Sequence, residues 1–115
     1  MAEPADLSTP DKAFERRWAL TLLEQVLERL REEFTAVGQA ERFQRLKVLL
    51  WGERDSPPYA AVAAELGLTE GALKVAVHRL RQRYRELLRE EVAHTVARPE
   101  EVDDELRYLI SVISG

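Results

Sequence analysis

Tyr59-Ala-Ala-Val62-Ala63-Ala-Glu-Leu66-Gly67-Leu68-Thr69-Glu-Gly71-Ala-Leu73-Lys74-Val75-Ala-Val77-His78-Arg79-Leu80-Arg81 is the stretch that decides the fold. Gly67 stands between two helical patterns. Glycine adopts a positive φ cheaply, which a sharp turn between helices needs. Ala63 falls four residues earlier, where the two helices cross most closely and only a small side chain fits. Val62, Leu66, Leu68 and Leu73 fall where the small core between the helices must be filled. Thr69 is placed to cap the second helix. These positions agree independently on a helix-turn-helix.

The helix after Thr69 sorts into faces when it advances about 100° per residue. Leu73, Ala76, Val77, Leu80, Tyr84, Leu87 and Leu88 gather on one side. Lys74, His78, Arg81 and Arg85 gather on another, with Gly71, Gln82 and Arg89 beside them and Arg79 and Arg83 at the far edge. From Thr69 to Arg89 six basic residues stand against two acids, Glu70 and Glu86, giving +4. Such a helix suits a DNA major groove. Its first turns would meet base edges and its later arginines would meet phosphates. Lys74 and His78 can donate to purine acceptors, and Val75 can touch a thymine methyl. Backbone amides at the start of the preceding helix, near Pro58 and Tyr59, can hold a phosphate. An Arg-rich stripe alone is usually a solvated face. Joined to the turn pattern, the DNA reading leads.

Outward from this motif, every periodic segment is helical. No alternating Val/Ile/Thr run is bounded by turn residues, so an all-α bundle is expected. Residues 1–10 form a flexible arm, ending with Thr9 as N-cap and Pro10 in the first helical turn. Residues 11–37 form an N-terminal linker-type helix, with Phe14, Trp18, Leu22, Leu23, Val26, Leu27, Leu30 and Phe34 at three- and four-residue steps. That apolar face is broad enough to meet more than one neighbour. Phe14, Trp18 and Leu22 are the candidate partner-binding residues there. Residues 38–96 hold the helix-turn-helix domain. Within it a helix runs from about Ala40 to Leu50 with Gly52 as its C-cap, a short one from Tyr59 to Leu66, and a long one from Thr69 to about Val96. Residues 97–115 form a C-terminal helical extension that starts at Pro99 and turns Val102, Leu106, Leu109, Ile110 and Ile113 inward. Its acids, Glu100 to Glu105, crowd the positive end of the helix dipole.

Composition narrows the function classes. The 115 residues carry 17 Lys and Arg against 21 Asp and Glu, a net charge of −4. That total argues against a wholly basic nucleic-acid binder, yet it averages the +4 stretch Thr69 to Arg89 with acidic flanks. No cysteine is present, which excludes disulfides, thiolate metal sites and a Cys nucleophile. His78 and His94 are the only histidines, too few for a multi-His site. Asp103, Asp104 and Glu105 read as a solvated helix N-terminus rather than a metal site. Trp18 and Trp51 read as core or interface aromatics. No nucleophile–base pair and no phosphate loop is present, so no enzyme, cofactor, small-molecule substrate or metal is expected. No apolar run approaches about 18 residues, and the N-terminus has no signal-peptide pattern. A soluble, cytoplasmic protein is expected.

Residues 59–83 resemble the C-terminal, promoter −35-reading domain of bacterial sigma factors of the extracytoplasmic-function type. The resemblance rests on Tyr59-Ala-x-Val-Ala63, on Glu65-Leu-Gly-Leu-Thr-Glu-Gly-Ala-Leu-Lys74 and on His78-Arg79-Leu80-Arg81. Asp11 to Arg31 also resembles the segment preceding that domain, around Phe14-Glu15-Arg16-Arg17-Trp18-Ala19. The resemblance implies binding of double-stranded −35 promoter DNA within RNA polymerase holoenzyme, and docking on the flap of the polymerase β subunit. Carried over by position, it implies Thr69, Glu70, Gly71, Lys74, His78, Arg79 and Arg81 as DNA-facing. With the helix faces above, the full candidate set adds Tyr59, Val75, Gln82 and Arg85.

Two departures stand out. The family often has Ser-Arg after the Lys, where this chain has Val75-Ala76. The family's N-terminal domain, which binds the polymerase clamp and melts the −10 element, would end before this sequence starts. A piece of a longer protein or a natural stand-alone fragment is therefore expected. Two alternatives stay open: a stand-alone helix-turn-helix regulator, and an interaction module bound by an anti-sigma factor.

Overall fold

Gly and Pro punctuation divides the chain into helices, as the computed structural model, which describes residues 10–52 and 55–114, makes visible. Among these residues there are five α-helices and no strand: α1 (Pro10–Ala36), α2 (Ala40–Leu46), α3 (Tyr59–Leu66), α4 (Glu70–Ala93) and α5 (Val102–Ser114). The fold is all-α. The expected arm before Thr9 and the Thr9 cap lie outside the described residues, as do residues 53–54 of the loop and the side chain of Ile113.

Helix ends differ from the periodicity in instructive ways. The helix expected to reach Leu50 is α only to Leu46 and continues as a 3-10 turn, Lys47–Leu49. Tightening lets the last amides reach carbonyls three residues back, as Leu50 N–H does to Lys47 O at 3.1 Å. Leu49 and Leu50 are both buried there. Gly52 then turns the chain with φ +65°. α4 ends at Ala93 rather than Val96, where the Thr95 hydroxyl and amide both donate to Val92 O, each at 2.8 Å. The last helix opens with a 3-10 turn, Pro99–Glu101. There the Glu101 carboxylate accepts the amides of Ala97 and Arg98 at 3.0 and 3.1 Å.

The chain divides into two compact units, residues 28–86 and residues 1–27 with 87–115. Both boundaries fall inside the long helices α1 and α4, at places where the sequence carries no break. In the second of these units Ala19, Leu22, Val92, Val102 and Leu109 form the buried cluster. Trp18, Leu88, Leu106 and Val112 pack against it. Ile110 departs from the expected inward stripe, with 59% of its surface exposed. An α-helix turns only a limited arc toward its neighbours. Here Val102, Leu106, Leu109 and Val112 occupy it, and Ile110 lies at the opposite edge of the stripe from Val112. Phe14, a candidate partner-binding residue on the apolar face of α1, is 71% exposed.

In unit 28–86, Leu30, Phe43, Leu46, Leu49, Leu50, Val62, Ala63, Leu73, Val77, Leu80 and Tyr84 are buried. Phe34 packs on Phe43 with ring centroids 5.4 Å apart. α2 packs on α3, and Arg45 and Glu65 bridge them at 3.5 Å. This small core sets the surface described next.

Candidate nucleic-acid interface

All the candidate DNA-facing residues lie within unit 28–86. Their placement begins with Gly67, at φ +70° and ψ +30°. Gly67 N–H donates to Ala64 O at 3.2 Å and Leu68 N–H to Ala63 O at 2.8 Å. This paired pattern closes a helix whose next residue is left-handed. Three residues later α4 starts. Thr69 Oγ1 accepts the Ala72 amide at 3.0 Å and Thr69 O accepts the Leu73 amide at 2.9 Å. Stop, turn and start occupy Gly67-Leu68-Thr69. Val62, Ala63 and Leu73 are buried and Leu66 and Leu68 are half-buried, as the spacing requires.

α4 then separates its faces. Leu73, Val77, Leu80 and Tyr84 point into the core. Burial pushes the Tyr84 phenol far above its ordinary pKa, so this ring stays neutral. Glu70, Gly71, Lys74, Val75, His78, Arg79, Gln82 and Arg85 are exposed, Val75 to 49%. Thr69 is exposed, its oxygens committed to the cap. Tyr59 is half-buried at the first position of α3. The Ala61 and Val62 amides donate to Pro58 O at 3.1 and 3.3 Å. The amides of Tyr59 and Ala60 are left without an intrahelical acceptor.

Arg81 does not join this row. Its Nε donates to Leu50 O and its Nη2 to Leu49 O, each at 2.9 Å, and the side chain is partly buried. Arg83 is also engaged: it holds Glu33 at 2.6 Å and Glu86 at 2.8 Å. The Arg83 hydrogen bonds keep the Glu33 carboxyl below the usual carboxylate range, against a smaller opposing effect of burial. In the other unit Arg89 pairs with Asp103 at 2.8 Å. Of the six cations that the sequence places along α4, Lys74, Arg79 and Arg85 have no partner among the described residues.

An open groove beside α4 was not legible in the sequence. Phe34, Leu46, Leu68, Ala76 and Leu80 line it with Arg42, Arg79 and Arg83. Arg42 and Phe34 stand well before the motif in the chain, so no local spacing could connect them to it.

The candidate partner residues belong to the other unit. Phe14 is exposed. Trp18 is half-buried, its ring 6.4 Å from that of Tyr108. Leu22 is buried in the core and presents no surface to a partner. Among the described residues no three His, Cys, Asp or Glu side chains group as a metal site, and no helix is long and apolar enough to cross a membrane. No protein-family model, curated protein or solved structure matches the chain.

Proposed function

We propose that unit 28–86 binds double-stranded DNA as a helix-turn-helix module, with α4 as the recognition helix. The single observation that carries this reading is the left-handed Gly67 turn and Thr69 cap directly before a helix whose outer face is Lys74, Val75, His78, Arg79, Gln82 and Arg85. The turn supports presentation of the first turns of α4 to a groove. The exposed side chains supply donors for base edges, a methyl contact and, for phosphates, three cations that have no partner among the described residues. The resemblance to the −35-reading domain of extracytoplasmic-function sigma factors gives the reading its finer form: promoter recognition with RNA polymerase, in the bacterial cytoplasm. No reacting group enters the proposal, and it assigns no enzymatic role.

The test is selection from a random duplex library, followed by fluorescence anisotropy on the selected duplex between about 50 and 200 mM salt. Specific binding is expected, with log K falling linearly with log salt. Lys74→Ala with Arg79→Ala should weaken binding and flatten the slope by roughly one unit for each phosphate that no longer meets a cation. Absence of enrichment and of salt-dependent binding would overturn the proposal. Co-elution of the chain with core RNA polymerase tests the finer form.

A further inference from the structure

Arg81 shares a helical row with Lys74, His78 and Arg85, yet its guanidinium is spent inside the fold. We propose that Arg81 is a positioning residue that latches residues 49–52 onto α4, and makes no phosphate contact itself. The proposal rests on the DNA-binding reading above and refines which residues of that surface touch DNA.

Three observations carry it. First, the two carbonyls that Arg81 takes, Leu49 O and Leu50 O, close the α2 and 3-10 segment. Carbonyls at a helix C-terminus lack intrahelical partners and carry the negative end of its dipole. A fixed guanidinium fork satisfies two of them at once, which a single ammonium cannot do in the same geometry. Second, the chain turns beside that fork, within ordinary van der Waals reach of it. Gly52 reverses direction at φ +65°, and a Cβ there would meet Arg81 Nη2 at 3.4 Å. Third, the grip is double. One turn further along α4, Tyr84 meets Trp51 edge-on, with centroids 5.1 Å apart and planes at 85°.

The latched segment leads to the start of α3. Ser56 Oγ donates back to Val48 O at 3.2 Å, and Pro58 and Tyr59 follow. Arg81 and Tyr84 therefore tie the approach to α3 to the helix that would read DNA. With the latch closed, Tyr59 and the exposed face of α4 keep one register. With it open, two carbonyls lose their donor and the approach to Tyr59 is free to shift.

The experiment uses the full chain and the selected duplex. Arg79→Ala serves as the phosphate-contact comparator, and its salt slope should fall by about 0.9. Arg81→Gln removes the charge but keeps one donor; Arg81→Lys keeps the charge but loses the fork. Both should bind roughly five- to tenfold more weakly than the parent, the size set by removing charge-assisted hydrogen bonds, and both should keep the parental slope. A slope that falls by about one in Arg81→Gln but not in Arg81→Lys would overturn the proposal in favour of a direct phosphate contact. Parental affinity in both variants would overturn it as well.

Acrylamide quenching of Trp51, read in a Trp18→Phe background, reports the latch without DNA. Quenching should rise in both Arg81 variants. Unchanged quenching sinks the latch even if DNA binds. A parent that binds no duplex sinks the DNA reading even if quenching rises.

Discussion

Gly67→Ala and Gly71→Ala make the same chemical change four residues apart, and the structure assigns them opposite signs. An added Cβ meets nothing within 4 Å at either site, so neither substitution creates a clash. Backbone conformation alone separates them. Gly67 sits at φ +70°, ψ +30°. An L-side chain there costs about 1–2 kcal/mol. The reduced freedom of alanine in the unfolded chain offsets about 0.4–1 kcal/mol of that. A net loss of about 1 kcal/mol is expected.

Gly71 is in the first turn of α4 with ordinary helical geometry. There alanine should stabilise by about 0.5 kcal/mol, the low end of its helical advantage because the first turn is only partly bonded. Gly67→Asn should lose less than Gly67→Ala, since Asn tolerates the left-handed region. Urea unfolding followed by far-ultraviolet circular dichroism reads all three variants. With an m-value of about 2 kcal/mol/M, the two alanine variants should differ by roughly 0.7 M in midpoint at unchanged m. Equal signs for the two variants, or Gly67→Ala at or above the parent, would refute the turn geometry on which the helix-turn-helix reading depends.

Other perturbations probe the remaining contacts. Thr69→Ala removes the acceptor for the Ala72 amide and should cost about 1 kcal/mol in the same urea assay, with Thr69→Asp or Thr69→Asn recovering most of it. Leu109→Ala should cost about 2–5 kcal/mol, while Ile110→Ser, on the exposed side of the same helix, should stay within about 0.5 kcal/mol of the parent. Equal losses at the two positions would mean that α5 is rotated from its described orientation. Arg83 lowers the Glu33 pKa, so the pair adds stability in full above the unfolded value of about 4.3, and that stability fades as pH falls through the lower folded value. The two side chains are 40% and 39% exposed, so screening limits the effect to about 0.5 kcal/mol. Parent and Glu33→Gln stabilities should therefore differ slightly at neutral pH and converge in strong acid. A difference that grows on acidification would contradict the pairing.

Much of the architecture was written in local patterns. Gly67, Thr69 and the spacing of Val62, Ala63, Leu66, Leu68 and Leu73 place α3 and the turn at the residues where they stand. Each depends on a conformational preference or period acting within a few positions. Helix ends were less legible. The 3-10 turn at Lys47–Leu49 and the stop at Ala93 arise where side chains and tightened turns compete for terminal carbonyls, and several endings are close in energy there. Ile110 shows the limit of periodicity from the other side. An apolar stripe can be wider than the neighbour that covers it, and the pattern does not say which edge is left in water.

The basic row on α4 divides the two levels most sharply. By itself the sequence determined that a stretch of net charge +4, Thr69 to Arg89, follows a tight turn in a chain of net charge −4, because charge and helical period belong to the residues wherever they fold. Only the tertiary structure decided which of those cations stay available. Arg81 and Arg83 extend on long side chains that can reach more than one neighbour. Apart from Glu86, which Arg83 holds one turn along α4, their partners stand 31 to 50 residues away in the chain, at Leu50, Leu49 and Glu33. A helical wheel records where a side chain leaves the backbone. Where a guanidinium comes to rest depends on which carbonyl or carboxylate the fold brings within reach, and that choice leaves Lys74, Arg79 and Arg85 as the cations of α4 with no partner among the described residues.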